Sequence, residues 1–171
     1  MTPVTRDADE ERAAADRTRL IGWVLVGVQA LLLVLFVLLP KRRSLFAPPD
    51  FLDVLGILLM IAGLAVVIVS LVSLGAALTP TPVPQESAAL RTNGIYALVR
   101  HPVYSGILVA ALGFTLAVGS IWQVVLWLAL AAFFYAKAFW EDRLLADKHG
   151  VAWFDYADHV SSFIPRFWGS R

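Results

Sequence analysis

Apolar residues fall along this chain in long blocks, separated by short stretches that contain charges, prolines or glycine. Blocks of this kind are typical of membrane spans and not of a large soluble core, because a helix needs about 20 apolar residues to cross ~30 Å of hydrocarbon. The pattern therefore predicts an all-α polytopic membrane protein with about four transmembrane helices, at about residues 20–39, 51–78, 98–118 and 121–140.

The two ends of the chain differ in composition from the spans. Residues 1–19 are polar and of mixed charge, so we expect a frayed or disordered cytoplasmic tail. Residues 141–171 interleave charged and aromatic side chains, which suits the headgroup region and predicts a short interfacial C-terminal helical lid. Within it, Gly150 indicates a helix stop, followed by a second short helix up to about Val160. We expect residues 20–171 to form a single domain.

The connections between the spans carry conformational signals. Residues 79–84 contain three prolines and predict a stiff polyproline-like strap, since proline lacks an N–H and favours extended neighbours. Pro102 is best placed in the first turn of the third span. Gly119 and Ser120 form a minimal turn, so the third and fourth spans are expected to make a tight helical hairpin.

Gly56 and Gly63 lie seven residues apart in the second span, about two turns, and so share one face of the helix. Small residues let helix backbones approach closely in lipid. We therefore expect these glycines to serve ordinary packing against another span.

Composition excludes several classes of protein. The chain has 171 residues, of which 59% are hydrophobic and 16% charged, whereas a soluble domain carries roughly 25% charged residues. Its net charge of +1 gives no field for binding nucleic acid. The sequence has no cysteine, which excludes disulfides, thiolate metal sites and a cysteine nucleophile. It also lacks a metal-ligand spacing, a P-loop and a Gly-x-Gly-x-x-Gly run, so we predict no metal and no Rossmann-type nucleotide site.

The polar residues most suited to chemistry flank the predicted hairpin. Before it, residues 93–106 bring together an Arg, a His and two Tyr where water meets hydrocarbon, and polar groups are costly there and usually kept for function. His101 and Tyr104 are three residues apart, so on a helix they share a face. After the hairpin, Glu141 is expected to face His101, whereas Asp142, about 100° further around the helix, is expected to face elsewhere.

Purely structural explanations of these residues stay open at this point. His101 could be an interfacial histidine bonded to a backbone carbonyl, and Arg100 could extend to phosphate headgroups. Glu141 and Asp142 could form a salt-bridged helix end within a turn of Lys137. A functional site instead requires these side chains to converge on one small zwitterionic ligand.

Lys and Arg are distributed unevenly between the two sides of the membrane. With four spans, the side that holds both termini and residues 93–106 carries eleven of them, and the other side carries three. Loops rich in Lys and Arg stay in the cytoplasm. We therefore predict an integral protein of the cytoplasmic membrane, with both termini and the candidate active site facing the cytoplasm.

Two motifs, in the right order and separation, carry a family resemblance over about residues 75–165. The first is Leu78-Thr79-Pro80-x-Pro82-x-Pro84 followed by Gly94-x-Tyr96-x-x-x-Arg100-His101-Pro102-x-Tyr104-x-Gly106, and the second is Glu141-Asp142-x-x-Leu145-x-x-x-x-Gly150-x-x-Trp153-x-x-Tyr156 with Phe163-Ile164-Pro165. Together they resemble the isoprenylcysteine carboxyl methyltransferase and phospholipid methyltransferase group of integral membrane enzymes. Asp142 and Trp153 depart from the Glu and Tyr that are usual in this group.

The resemblance implies methyl transfer that depends on S-adenosylmethionine, to a lipophilic, membrane-borne or lipid-anchored acceptor. The acceptor group would be a carboxylate, as in isoprenylcysteine carboxyl methylation, or a related group. The cofactor would lie at the cytoplasmic membrane face, and membrane lipids would surround the spans. Carried over by position, the implied cofactor contacts are His101, Tyr104 and Glu141, and the implied lining of the cofactor pocket is Tyr96, Arg100, Gly106 and Tyr156. We predict catalytic roles for Arg100 and for Arg166, which would close the site or meet an acidic acceptor.

Other functions are compatible with the same residues. One is methylation of a small thiol or of a phospholipid amine. Another is a non-catalytic four-helix membrane subunit, and a third is a nicotinamide-dependent membrane reductase with a similar C-terminal organisation. Saturable binding of S-adenosylmethionine that depends on His101 and Glu141 separates the methyltransferases from the last two.

Overall fold

A computed structural model describes residues 3–39, 50–75 and 89–166 of the chain. This part of the chain is all-α, as the apolar blocks predict, and its extended backbone pairs in one isolated parallel bridge between Val99 and Ser161. A short 3-10 turn, Gly94–Ala97, precedes the third α-helix. The α-helices are α1 (Pro3–Leu38), α2 (Asp50–Leu74), α3 (Pro102–Val118), α4 (Ile121–His149) and α5 (Val151–His159).

Three of these helices are long and apolar enough to cross a membrane, namely Arg12–Leu38 within α1, Phe51–Leu74 within α2, and Ile121–His149, which is the whole of α4. The fourth predicted span corresponds to α3, an apolar helix of 17 residues. Its length is about 26 Å at 1.5 Å per residue, slightly less than the hydrocarbon thickness. The predicted polytopic membrane architecture is therefore confirmed, with one helix shorter than a usual span.

The third helix begins four residues later than predicted, at Pro102 instead of residue 98. A residue before proline is disfavoured in the helical region, and His101 accordingly has φ −120° and ψ 59°. Pro102 occupies the first turn of α3, as predicted, where its missing N–H costs no helical hydrogen bond.

The polar N-terminal segment is helical instead of frayed, because α1 runs without a break from Pro3 through the first span. Helix formation has a costly nucleus, and the adjoining apolar span already supplies one. Extending it through Ala13, Ala14 and Ala15 then costs little. The 36 residues of α1 measure about 54 Å, so the helix is longer than the ~30 Å hydrocarbon layer.

A close backbone contact joins α2 to α3 at their glycines. A Cβ atom added at Gly56 would lie 2.5 Å from the carbonyl oxygen of Gly113, and one added at Gly63 would lie 2.4 Å from the backbone nitrogen of Ala110. Real Cβ atoms essentially never approach other atoms closer than 3.0 Å, so a larger residue does not fit at either position. This confirms the predicted packing role of the two glycines.

α2 ends at Leu74, four residues before the predicted boundary. Gly75 follows with φ 51°, a left-handed conformation that favours glycine and ends the helix. The predicted polyproline-like strap, residues 79–84, lies outside the described residues.

The turn between α3 and α4 is the predicted two-residue connection. Gly119 ends α3 with φ 65°, and its N–H donates to the carbonyl of Thr115 at 3.0 Å. Ser120 is the N-cap of α4. The indole N–H of Trp127 donates to the carbonyl of Leu108 at 2.9 Å, so the two helices of the hairpin are bonded to each other.

α1 packs against α4, which in turn packs against α3, and α3 packs against α2. Near one end, the side-chain amide of Gln123 donates to the carbonyl of Phe36 at 3.2 Å. Deeper in the bundle, the amine of Lys137 donates to the amide oxygen of Gln29 at 2.6 Å. Phe36, Leu130 and Phe134 belong to the buried core that these helices share.

α4 continues past the predicted end of the fourth span at residue 140 and reaches His149. It contains neither glycine nor proline, so no local signal stops it earlier. Glu141 and Asp142 therefore lie inside α4 and not in a separate lid. The predicted stop at Gly150 is confirmed by its φ of 55°, and α5 is the predicted short second helix.

Candidate functional site

His101 lies between two carboxylates of α4. Its Nε2 is 2.9 Å from Oδ1 of Asp142, and its Nδ1 is 3.4 Å from Oε2 of Glu141. The residue is 7% exposed. Burial lowers the pKa of His101, but the hydrogen bonds to both carboxylates and their negative charges outweigh it and raise the pKa above the ordinary value. The site therefore favours an imidazolium that donates to Asp142 and forms an ion pair with Glu141.

The structure confirms that Glu141 faces His101 and shows that the prediction for Asp142 was wrong. Asp142 does not face elsewhere, because it contacts the same imidazole. The two carboxylates leave α4 about 100° apart. The two nitrogens of the imidazole lie at different positions on the ring, so Nε2 contacts Asp142 while Nδ1 contacts Glu141.

Tyr104 holds Glu141 from the adjoining helix. Its hydroxyl donates to Oε1 of Glu141 at 2.6 Å. Its ring stacks on His101, with centroids 5.5 Å apart and planes 3° apart, and on Phe134 at 4.7 Å. The predicted pairing of His101 and Tyr104 on one face is thus confirmed, and the stacked rings fix where the carboxylate sits.

Arg100 binds three parts of the chain together. One of its terminal nitrogens donates to Oδ2 of Asp142 at 3.0 Å and to Oγ of Ser162 at 2.6 Å. The other donates to the carbonyls of Ala157 at 3.0 Å and Val160 at 2.8 Å. The guanidinium also lies 5.5 Å from the centre of the Trp153 ring. We call Arg100, His101, Tyr104, Glu141 and Asp142 the histidine–carboxylate cluster.

The segment after α5 returns to the cluster and pairs with it through the backbone. The N–H of Arg100 donates to the carbonyl of Ser161 at 2.8 Å, and the N–H of His101 donates to the carbonyl of Ser162 at 3.0 Å. The hydroxyl of Ser105 donates to the carbonyl of Phe163 at 2.8 Å. No local pattern in the sequence predicts these contacts, since they join residues about 60 positions apart.

Tyr96 and Tyr156, two further predicted site residues, contact each other. The hydroxyl of Tyr156 donates to the carbonyl of Tyr96 at 2.6 Å. Burial, with the charge of Glu141, raises the pKa of Tyr96 to about 12. Burial raises the pKa of Tyr156 to about 12 as well. Both phenols are therefore neutral near pH 7 and can donate hydrogen bonds, but neither can serve as a base there.

Two predicted site residues lie apart from this cluster. Gly106 is buried against α2, where an added Cβ would lie 2.7 Å from the carbonyl oxygen of Gly63. Arg166 is exposed and donates to the carbonyl of Asp158 at 3.0 Å. The cofactor role of Gly106 and the catalytic role of Arg166 stay predictions, and the packing of Gly106 on α2 gives that glycine a structural reason of its own.

A hollow with a volume of about 170 Å³ opens beside the cluster. Arg100 and Asp142 form its polar wall, and Tyr135, Phe139 and Phe163 form an aromatic wall. Tyr135 is 69% exposed and Phe139 is 54% exposed, on a helix that crosses the membrane. The hollow thus connects charged groups with exposed aromatic side chains on a helix that is long and apolar enough to cross a membrane.

The apolar helices and the buried histidine–carboxylate cluster at the end of the α3–α4 hairpin define the class of protein. It is an integral membrane protein with a polar site where its spans end. The family model described as phospholipid methyltransferase matches residues 52–151, more than half of the chain. The chain therefore belongs to the phospholipid methyltransferase family. The matched region includes the whole cluster but leaves out α1.

Three curated relatives are similar to this chain over different lengths. The protein-S-isoprenylcysteine O-methyltransferase A of Arabidopsis thaliana is 31% identical over 86 residues, 47% of this chain and 42% of that protein. The protein-S-isoprenylcysteine O-methyltransferase of Schizosaccharomyces pombe is 38% identical over 77 residues, 44% of this chain and 33% of that protein. A probable protein-S-isoprenylcysteine O-methyltransferase of Oryza sativa subsp. indica is 27% identical over 150 residues, 83% of this chain and 78% of that protein.

A solved structure of a eukaryotic intramembrane Ras methyltransferase, ICMT (isoprenylcysteine carboxyl methyltransferase), has a similar fold. The TM-score is 0.63 at 20% identity, over 93% of this chain and 55% of the solved chain. The match to the Arabidopsis and fission-yeast relatives covers less than half of their length, and the match to the solved chain covers about half of it.

Proposed function

We propose that this chain transfers a methyl group from S-adenosylmethionine to a lipophilic, membrane-borne acceptor. The observation that carries the proposal is the histidine–carboxylate cluster, buried at the end of the α3–α4 hairpin beside a hollow whose other wall is aromatic. Charged groups that bind a polar donor and an apolar surface that admits a lipid meet there within one small volume.

The residues present suit S-adenosylmethionine, which when bound supplies a methyl group on a sulfonium cation. Glu141 and Asp142 provide negative charge for the cationic parts of such a molecule. Arg100 provides a donor for its carboxylate, because the Nε of Arg100 is buried and has no hydrogen-bond partner in the described part of the chain. The hollow is smaller than the roughly 300–1,000 Å³ of a typical ligand site, so binding requires neighbouring side chains to move.

The cluster also limits the access of water to the site. His101 is buried, and the side chains of Glu141 and Asp142 are 14% and 12% exposed. Excluding water strengthens the electrostatic interactions inside a site and prevents side reactions. Tyr104 and Arg100 hold the two carboxylates in fixed positions, so a bound ligand meets a preorganised pair of charges.

A carboxylate on a lipid-anchored chain is the acceptor we favour. The curated relatives are named as isoprenylcysteine O-methyltransferases, and the aromatic wall of Tyr135, Phe139 and Phe163 offers an apolar chain a surface next to the charged residues. We further propose that this side of the membrane is the cytoplasmic one, as the excess of Lys and Arg beside the termini and the cluster supports.

A phospholipid amine is the second candidate acceptor. The description of the matching family as phospholipid methyltransferase favours it. The same cluster serves both acceptors, since the donor site does not depend on whether oxygen or nitrogen receives the methyl group.

Donor binding tests the proposal first. Purified protein in detergent is titrated with S-adenosylmethionine, and we expect saturable binding that weakens at least tenfold in His101→Ala and in Glu141→Ala. His159→Ala and Asp147→Ala are matched controls that remove an exposed imidazole and an exposed carboxylate outside the cluster. Absence of saturable binding, or equal binding by the cluster variants and the controls, would refute the methyltransferase and leave the non-catalytic subunit or the reductase.

The fate of the methyl group then identifies the acceptor. Membranes that contain the protein are incubated with methyl-labelled S-adenosylmethionine, and the labelled product is treated with alkali. A carboxyl methyl ester releases its label as volatile methanol, whereas an N-methyl group stays on the lipid headgroup. We expect alkali-labile label, and alkali-stable label in the lipid fraction would favour the amine acceptor instead.

A further inference from the structure

Two buried nitrogens that have no hydrogen-bond partner in the described part of the chain belong to side chains that contact each other. They are Nε of Arg100 and the indole Nε1 of Trp153. The guanidinium carbon of Arg100 lies 5.5 Å from the centre of the Trp153 ring. We propose that Arg100 and Trp153 together form a carboxylate-binding site, in which each donates one N–H to the carboxylate of S-adenosylmethionine. The inference rests on the proposed function, because it names the part of the methyl donor that this pair binds.

The guanidinium of Arg100 has one donor that the protein does not use. A guanidinium carries five N–H groups, and the terminal nitrogens of Arg100 already donate four hydrogen bonds, to the carbonyls of Ala157 and Val160, to Ser162 and to Asp142. The N–H of Nε is the donor that remains. Since the four bonds hold the guanidinium in place, the direction of this N–H is fixed before a ligand binds.

Packing alone does not account for the indole of Trp153. The residue is 8% exposed and belongs to α5. In the α3–α4 hairpin, by contrast, the indole N–H of Trp127 donates to the carbonyl of Leu108 at 2.9 Å. A phenyl ring at position 153 would fill most of the same space without burying an unsatisfied donor, which is costly. A partner that the ligand supplies explains why the indole is present.

The chemistry of the two nitrogens determines what kind of group can bind there. Both are obligate donors, so their common partner must be an acceptor. The positive charge of Arg100 favours an anion. Nε is bonded to the guanidinium carbon and Nε1 is an atom of the neighbouring ring, so both donors lie near the contact between the two side chains. A carboxylate has two oxygens and can accept from both N–H groups at once.

S-adenosylmethionine presents a carboxylate and an ammonium on the same carbon of its methionine part. The site offers the matching groups side by side, because Asp142 lies 3.0 Å from a terminal nitrogen of Arg100. Asp142 suits the ammonium, and Arg100 with Trp153 suits the carboxylate. The carboxylate of an acceptor fits this place poorly, since two hydrogen bonds would stabilise its charge and weaken it as a nucleophile.

A comparison of two methyl donors tests the assignment by titration calorimetry in detergent. Decarboxylated S-adenosylmethionine lacks the carboxylate but keeps the sulfonium, the amine and the adenosine. We expect Trp153→Phe, which removes the N–H and keeps an aromatic ring, to weaken binding of S-adenosylmethionine about tenfold and to leave binding of the decarboxylated compound unchanged. Trp122→Phe is the matched control, because its side chain is 58% exposed. Equal weakening for both compounds in Trp153→Phe would overturn the inference.

The indole signal of Trp153 provides a readout that needs no substitution at that position. The chain has six tryptophans, and in a magnetic resonance spectrum of isotope-labelled protein each gives one indole signal. Substitution by phenylalanine at each of the other five assigns Trp153 by elimination. Saturating S-adenosylmethionine should move the proton of this N–H downfield, as a new hydrogen bond does, and the decarboxylated compound should not. Binding of S-adenosylmethionine without this shift would overturn the inference and leave the proposed function standing.

Two further probes separate the failure of the inference from the failure of the proposed function. If the wild-type protein does not bind S-adenosylmethionine, the proposed function fails, and L-methionine then tests the carboxylate site alone because it has the same ammonium and carboxylate. A downfield shift of the Trp153 signal with L-methionine would support the site, and no shift would overturn it. A shift produced by an S-prenylated cysteine and not by S-adenosylmethionine would assign the site to the acceptor and so overturn the inference.

Discussion

α3 has two faces that are built in opposite ways. One face, which includes Gly106 and Gly113, lies so close to the backbone of α2 that no side chain fits between the helices. The other face carries Tyr104, whose hydroxyl reaches Glu141 of α4. The first contact depends on the small size of its residues, and the second depends on the direction and charge of a few hydrogen-bonding groups.

This difference determines which kind of substitution weakens each contact. The glycine contact fails when volume is added, because backbone atoms cannot move aside as a side chain can. The polar contact fails when one partner is removed, because the partner that remains is left buried and unsatisfied. A change of volume should therefore disturb the α2–α3 face alone, and a change of charge should disturb the cluster alone.

Adding one methyl group to the glycine face should have the largest effect on stability. In Gly63→Ala the new Cβ would meet the backbone of Ala110 at 2.4 Å and of Gly106 at 2.5 Å. We expect destabilisation of about 3 kcal/mol, the upper part of the usual range for overpacking, measured as thermal unfolding in detergent. Gly27→Ala is the control, because a Cβ at Gly27 meets nothing within 4 Å, and equal unfolding of the two variants would contradict the comparison.

Changing the shape of one cation should disturb the cluster while leaving the glycine face intact. Arg100→Lys keeps the charge, but an ammonium cannot donate at once to Asp142, Ser162 and the carbonyl of Val160. We expect the free energy of unfolding to fall by about 2 kcal/mol, since the substitution removes hydrogen bonds to charged groups. Amide hydrogen exchange should accelerate at Arg100 and His101, whose N–H groups bond to the same C-terminal segment.

The protection of α2 amides from hydrogen exchange distinguishes a local from a global effect of Arg100→Lys. We expect it to stay unchanged in Arg100→Lys, and Arg143→Lys at an exposed position should change neither region. Faster exchange throughout α2 and α3 would mean that the two faces of α3 are not independent.

The parts of the fold that could be predicted are those with local signals. The spans follow from the length of their apolar blocks, the hairpin from Gly119, and the end of α4 from Gly150. The errors fall where no local residue marks the boundary or where a neighbour overrides it. The charged N-terminal segment is helical because the span next to it is helical, and α3 starts late because Pro102 excludes His101 from the helix.

The candidate site could be predicted only in part, because its contacts join distant parts of the chain. The contact of Glu141 with His101 could be predicted from their places at the two ends of the hairpin, but that of Asp142 could not, since helix geometry alone does not show that one imidazole can contact both carboxylates. The contact of Ser162 with Arg100 depends on the turn after α5, and the contact of Gln29 with Lys137 depends on α1 packing against α4. Neither arrangement has a signature in the sequence.

The smallest expected effect is a dependence of stability on pH that belongs to His101. Its pKa is raised in the folded protein above the ordinary value of 6.5, because the two carboxylates outweigh the cost of burial. A group with a raised pKa contributes its full stabilisation below the unfolded value and loses it as pH rises through the folded value. The melting temperature of the wild-type protein should therefore fall as pH rises above 6.5.

His101→Gln isolates this contribution, since glutamine is neutral at every pH in the window and can still donate a hydrogen bond. We expect the pH-dependent fall to disappear in this variant and to persist in His159→Gln, where the exposed imidazole contacts the carbonyl of Asp155. Gly63→Ala should keep the wild-type slope at a lower melting temperature, because it changes the opposite face of α3. A pH slope that is lost in Gly63→Ala, or kept in His101→Gln, would show that the imidazolium between Glu141 and Asp142 is not the group that titrates.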